Sequence, residues 1–287
     1  MAGSAPPWDL PEATSRLRST RCAVHRSWWP IFLGLLSVCT PWLNPSSAWS
    51  RDETNRLRIG GSGRGEAATA TLLVDYFQKL LEDHDIEAFR DRVAARYTEE
   101  ALCEILLGSP GVTSRRASVV SLGFLGEFAR SNAALGRALR DSDPAVRKLA
   151  EDALWSIWFR AGTPENNRTL RDVAQLIGRG QFDQAEALAT RLIVAAPLFA
   201  EAYNQRAIIY FQQGRFAESA LDCQRALSRN PYHFGAIGGL AQCQLQLNRP
   251  AEALKTLRRG LKIQPHSDGL RANIKLIEAQ FEPDGSR

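Results

Sequence analysis

The sequence predicts an all-α fold, a solenoid in which pairs of helices stack along most of the chain. Two observations lead to this prediction. Residues 166–267 divide into three windows of 34 residues that carry similar residue types at the same places. Upstream, Asp143 and Pro144 form a strong helix start, and a face of apolar residues at helical spacing follows them. One helix pair cannot bury its apolar face alone, so such units stack.

Composition argues against several functional classes. A hydrophobic fraction of 44% and a charged fraction of 23% are typical of a globular protein. The net charge of +5 is spread along the chain without a basic stripe, so no nucleic-acid partner is expected. The five cysteines do not form paired CxxC motifs. We therefore expect no metal site.

The chain begins with a predicted export or membrane-targeting segment, residues 1–48. Its apolar run, residues 28–43, follows several arginines and precedes small residues at 46–48. The run is shorter than the about 20 residues of a spanning helix. A signal peptide cut before Trp49 is the first interpretation, and an uncleaved anchor or a lipidated Cys39 are the alternatives. We expect the protein to be exported, periplasmic or extracellular, or else anchored in a membrane through residues 28–43 alone.

Two further segments precede the repeats. Residues 49–68 are rich in serine, glycine and charge, which is typical of a flexible linker. Residues 69–163 are predicted to form a helical domain, in which residues 69–96 supply two helices without a recognisable signature.

The end of this helical domain resembles a HEAT-type repeat. A short helix predicted at Ala134–Leu139 precedes the turn, and the resemblance is carried by Asp143, Pro144, Val146 and Arg147. An earlier unit is expected within residues 99–129, where Arg116 would take the place of Arg147, 31 residues upstream.

The three 34-residue windows share positions with a clear structural role. Position 15 needs a residue that tolerates a left-handed turn, position 20 must be small where two helices cross, and proline at position 32 stops the second helix. The residues at these positions are Gly180, Gly214 and Asn248; Ala185, Ser219 and Ala253; and Pro197, Pro231 and Pro265.

This pattern resembles the tetratricopeptide repeat. The middle window is closest to the family consensus, at Tyr203, Ala207, Tyr210, Gly214, Phe216, Ser219, Ala226 and Pro231. The resemblance implies a domain over residues 164–281, with a last helix capped by Ser267, and a disordered tail at 282–287. It also implies a scaffold that binds a protein or peptide in a concave groove, without catalysis or a cofactor.

The first helices of such repeats line the groove. The candidate binding residues are Leu170, Glu201, Asn204, Ile208, Phe211, Gln212, Gln242, Leu245 and Gln246. Amide side chains can hydrogen-bond an extended peptide, and Phe211 and Leu245 can bury apolar side chains. The clamp with which chaperone-binding members hold a carboxylate is replaced by Leu170, Ala174 and Gly235. The alternative is that the chain itself fills part of the groove.

Residues that could carry chemistry are few. No nucleophile elbow, zinc-protease motif or P-loop is present. We interpret His84, which stands among acidic residues, as part of a solvated turn, and His233 as a turn residue. Cys223 and Cys243 are expected to be small buried hydrophobic residues, and the alternative is a disulfide between them if they lie close together in an oxidising compartment. Alternatives to the scaffold are an enzyme or enzyme subunit using helices in 69–130, or a structural component of the cell envelope.

Overall fold

The computed structural model describes residues 68–281, so the predictions for 1–48, for nearly all of the 49–68 linker and for 282–287 lie outside the described residues. Within this range the chain forms thirteen helices and no strand. The helices are α1 (Ala68–Asp83), α2 (Ile86–Ala94), α3 (Glu99–Gly108), α4 (Val112–Leu125), α5 (Phe128–Ala138), α6 (Pro144–Phe159), α7 (Pro164–Gly178), α8 (Phe182–Ala195), α9 (Ala200–Gln212), α10 (Phe216–Arg229), α11 (Phe234–Gln246), α12 (Pro250–Ile263) and α13 (Asp268–Phe281). None of these helices combines the length and the apolar character needed to cross a bilayer.

The three 34-residue windows form the helix pairs α7–α8, α9–α10 and α11–α12. The residues predicted to end the first helix of each pair have positive φ angles, which are 70° at Gly180, 75° at Gly214 and 60° at Asn248. Ser219 and the equivalent alanines are buried where the helices cross, and the Ser219 hydroxyl donates to the carbonyl of Ala207 at 2.7 Å. The predicted helical repeat architecture is therefore confirmed.

Helix caps follow the local sequence. The Asp143 carboxylate accepts a hydrogen bond from the amide of Val146 at 2.9 Å, at the predicted start of α6. The predicted cap of the last helix is also formed, because Ser267 accepts from the amide of Leu270 at 3.3 Å.

Helix α5 is longer than predicted. It begins at Phe128, whereas the apolar pattern indicated a short helix at Ala134–Leu139. Its first turns were missed because Ser131 and Asn132 face the interior, where polar residues interrupt the apolar pattern. Both are held there by hydrogen bonds, Ser131 to the Glu99 carboxylate and Asn132 to the Asn230 side chain.

The pairs α3–α4 and α5–α6 repeat one arginine arrangement. Arg147 donates to the carbonyls of Asp141 and Ser142, six and five residues before it. Arg115 donates in the same way to the carbonyls of Ser109 and Pro110. The equivalent of Arg147 is thus Arg115, and the prediction that Arg116 would take this place was wrong.

Arg116 has a different role. It forms a paired hydrogen bond with the Asp143 carboxylate at 3.0 and 2.7 Å, and so connects α4 to the start of α6. Arg115 and Arg116 therefore make different contacts. Their spacing from Arg147 in the sequence could not show which of the two is its equivalent.

The two halves of the chain pack against each other. The core of α1–α6 extends onto Tyr232, Phe234 and Ile263, which belong to the second and third repeats. Gly136 on α5 lies so close to Tyr232 that an added Cβ would be 2.4 Å from the ring. Residues 68–163 and 164–281 therefore pack against each other across an apolar interface.

Candidate functional site

Helix α6 lies across the N-terminal ends of α9 and α11. The Trp158 ring stacks on the His233 ring with a centroid distance of 4.4 Å and an interplanar angle of 22°. Trp155 meets the edge of His233 at 5.6 Å, and Trp158 donates from Nε1 to the Asn132 side-chain oxygen at 2.7 Å. Both tryptophans are buried, so this end of the concave face is closed by the chain itself.

The His233 ring is fully buried and bonded on both sides. Its Nδ1 accepts from the amide of Ala236 at 3.1 Å and so caps α11. The proton of the neutral ring therefore lies on Nε2, which donates to Glu201 Oε2 at 2.7 Å. This residue was expected to be an ordinary turn residue, and only a contact between distant parts of the chain reveals its role.

Glu201 is the centre of a buried network. Its Oε1 accepts from the side-chain amides of Asn204 at 3.0 Å and Gln205 at 2.7 Å, while Oε2 faces His233. All four side chains are buried. A buried carboxylate is costly unless it is hydrogen-bonded, and three donors here meet that requirement. In this conformation Glu201 connects α9 to the cap of α11 through His233, and both Glu201 and Asn204 are too buried to face a partner.

The nine predicted groove residues divide into two groups. Leu170, Glu201, Asn204, Ile208 and Gln242 are buried. Phe211, Gln212, Leu245 and Gln246 are half-buried or exposed, and they lie at the C-terminal ends of α9 and α11. The buried group lies in the interior because the helices of adjacent repeats and α6 cover it.

Two glycines of α11 mark the boundary between closed and open parts of the groove. A Cβ added at Gly235 would lie 2.8 Å from the Trp155 ring, whereas a Cβ added at Gly238 would have no neighbour within 4 Å. We call the accessible part the open end of the groove, and it comprises Phe211, Gln212, Gly238, Leu245 and Gln246.

A second concave feature lies where the two halves of the chain meet. It is an apolar pocket of about 640 Å³ between α5, the end of α6 and the turn before α9. Its lining includes Phe128, Trp158, Pro197, Leu198 and Phe199, and Leu198 is 82% exposed. Sequence patterns missed this pocket because its walls come from distant parts of the chain.

An ionisable group at the contact between the two halves of the chain has a shifted pKa. Glu151 on α6 accepts from the Gln264 side-chain amide at 2.8 Å, and burial raises the pKa of this carboxyl despite the nearby charge of Lys148. His84 Nδ1 donates to the Glu82 carbonyl, 3.2 Å away, in an exposed turn. Among the residues that the structure describes, no group of three or more His, Cys, Asp or Glu side chains is arranged to hold a metal ion.

Family comparisons agree with the geometry of the helix pairs. Two family profiles, each described as Tetratricopeptide repeat, match residues 176–234 and 210–274. The chain contains tetratricopeptide repeats. The upstream resemblance to HEAT-type repeats is not among these matches and stays a prediction.

The chain is also similar to parts of several other proteins. A TPR repeat-containing protein of Rhizobium etli is 26% identical over 138 residues, which is 48% of this chain and 68% of that protein. Sperm-associated antigen 1 of Mus musculus is 29% identical over 36% of this chain, and WD and tetratricopeptide repeats protein 1 of Homo sapiens is 36% identical over 27% of it. The matches span 11% and 12% of these two longer proteins.

Proposed function

We propose that this protein is a non-enzymatic adaptor that binds a protein or peptide at the open end of its tetratricopeptide groove. Repeats of this family generally mediate protein binding. The observation that carries the proposal is the division of the groove, in which α6 closes one end while the surface around Gly238 stays free.

The open end has the chemistry of a peptide site. Gln212 and Gln246 are exposed amides that can hydrogen-bond the backbone of an extended segment. Phe211 and Leu245 are half-buried apolar side chains that can anchor a partner's side chain. None of these residues is charged, so we propose a neutral partner segment with apolar side chains rather than an acidic tail.

The pocket between the two halves also favours binding over catalysis. Its lining is mainly apolar, and its one carboxylate, Glu201, is engaged with His233, Asn204 and Gln205. An apolar pocket with an exposed leucine at its edge is suited to a side chain of a protein partner.

Export or membrane anchoring is part of this proposal. It rests on the apolar run at 28–43 behind the arginine-rich start. N-terminal sequencing of the mature protein distinguishes the two forms of this proposal. A mature chain beginning at Trp49 supports cleavage of a signal peptide, whereas a chain that still begins at Met1 contradicts cleavage and leaves the uncleaved anchor.

The binding site is tested by filling the groove without disturbing the fold. Gly238→Tyr places a ring where an added Cβ has free space, so the protein should stay folded while the open end is blocked. Lys255→Tyr, on the exposed side of α12, is the matched control. The full chain is used as bait in an envelope extract, and captured proteins are quantified by mass spectrometry.

We expect Gly238→Tyr to lose specific partners that the wild type and Lys255→Tyr both retain. Equal capture by all three proteins would overturn the proposed site. Circular dichroism of each variant ensures that a loss of binding is not a loss of folding.

A further inference from the structure

Two cysteines lie side by side in the core between the second and third repeats. Cys223 on α10 is 2% exposed and Cys243 on α11 is fully buried. Both are free thiols, and the two side chains are close enough that each changes the pKa of the other. The Cys243 thiol also donates to the hydroxyl of Ser219 at 3.1 Å, one helical turn before Cys223.

The surroundings make the two thiols unequal. The neighbouring Cys223 thiol lowers the pKa of the Cys243 thiol, against the opposing effect of burial. The contact with Cys243, together with burial, raises the pKa of Cys223 well above its usual value. Cys243 is therefore the better source of a thiolate, the form that reacts with a disulfide.

We propose that Cys223 and Cys243 are a disulfide-forming pair that links α10 to α11 and so fixes the second repeat against the third. The third described cysteine, Cys103, is half-buried in the separate core of α1–α6 and is not part of this pair. Because α9 and α11 carry the open end of the groove, the link would hold one of its walls in place.

The oxidant is a low-molecular-weight disulfide of the glutathione type. The Cys243 thiolate attacks one of its sulfurs, forms a mixed disulfide and releases one thiolate, which takes up a proton. The Cys223 thiol then loses its proton and attacks the Cys243 sulfur, which releases the second small thiol. The two protein thiols thus give up two electrons and two protons, and the small disulfide is reduced to two thiols.

Burial controls the rate of this reaction. Neither sulfur is accessible in the folded chain, so the first step needs a local opening of the packing between α10 and α11. Once formed, the bond restricts the unfolded chain and is expected to raise the thermal midpoint of unfolding.

The test uses the full chain with Cys22, Cys39 and Cys103 replaced by serine, which leaves only this pair. The folded protein is incubated with oxidised glutathione, the reaction is quenched with acid, and the intact mass is measured by mass spectrometry. The matched control carries Cys223→Ser in addition. Peptide mapping without reduction identifies the linked residues, and the thermal midpoint is measured before and after dithiothreitol.

We expect the protein that retains only this pair to lose the mass of two hydrogens and to yield a peptide linking Cys223 to Cys243. The oxidised protein should unfold at a higher temperature than the same protein after reduction. The control should gain one glutathione and no internal link. Two free thiols after oxidation in native buffer, or a link that forms only in denaturant, would overturn the proposal.

Discussion

Two glycines within helices, Gly136 and Gly238, have opposite surroundings. Alanine is favoured over glycine in a helix interior by about 1 kcal/mol. A methyl group at Gly238 meets no neighbour within 4 Å, whereas at Gly136 it would lie 2.4 Å from the Tyr232 ring. We predict that Gly238→Ala raises the free energy of unfolding by up to about 1 kcal/mol and that Gly136→Ala lowers it by about 1–3 kcal/mol.

Urea unfolding followed by circular dichroism measures both variants. Changes of the same sign in the two proteins would contradict the close contact between α5 and the turn before α11.

The buried ion pair between Asp143 and Arg116 makes the stability of the folded protein depend on pH. Burial alone would raise the pKa of Asp143, but hydrogen bonds from Arg116 and the Val146 amide, with the charges of Arg116 and Arg115, hold it below its ordinary value of 3.8. The folded state therefore binds a proton at Asp143 less readily than the unfolded chain does. The stabilisation is complete above the ordinary pKa and disappears as pH falls through the folded value.

We predict that Asp143→Asn costs about 3 kcal/mol at neutral pH, because asparagine can still cap α6 while the Arg116 guanidinium loses this carboxylate. The difference from wild type should shrink in acid. Denaturant unfolding at several pH values measures it, with Asp268→Asn as the control because the Asp268 side chain is 96% exposed. A difference that is constant with pH would exclude this role for Asp143.

The sequence predicted the structural role of some residues and not of others. Asp143 and Pro144 were recognised because a helix cap is a local feature. His233 was not, because its partners Glu201 and Trp158 come from other helices. Local chemistry can be predicted from neighbours in the sequence, while a buried network depends on which helices meet.

At the scale of elements, α6 is a helix through which the two halves contact each other. Trp158 is 1% exposed, stacks on His233 and donates to Asn132. We predict that Trp158→Ala costs about 3–5 kcal/mol, as expected for removal of a large buried side chain. Trp158→Phe should cost less, because it keeps a ring over His233 and loses mainly the hydrogen bond to Asn132.

Urea unfolding gives both costs, and hydrogen exchange shows where the structure loosens. Amides in the first turn of α11 should lose protection in Trp158→Ala, because His233 caps that turn. Unchanged protection there would show that α6 does not support the repeats.

The helices of the repeats could be predicted from the sequence, but the packing of α6 against them could not. The glycine, small-residue and proline positions of each window report contacts within a unit, and the structure has the expected turns at Gly180, Gly214 and Asn248. The placement of α6 over α11 is a contact between distant segments. It separates the predicted groove residues into a buried group and an accessible one, and no periodicity in the sequence carries that information.

At the scale of the whole molecule, the apolar interface between the two halves predicts cooperative unfolding. The interior of α1–α6 continues onto Tyr232, Phe234 and Ile263 of the repeats, so neither half can open without exposing the other. We predict a single calorimetric transition for residues 68–281 within the full chain. In Trp158→Ala that transition should move to lower temperature for both halves together. Two separate transitions would show that the halves are independent domains.

The central claim is that a partner binds at the open end of the groove. Site-specific photo-crosslinking tests it most directly, with a benzophenone amino acid placed in the full chain at Gln212, at Gln246, or at the exposed Arg191 of α8. Irradiation in an envelope extract should yield the same partner adduct from Gln212 and Gln246 and none from Arg191. An adduct from Arg191 alone, with no product from the two groove positions, would contradict the account.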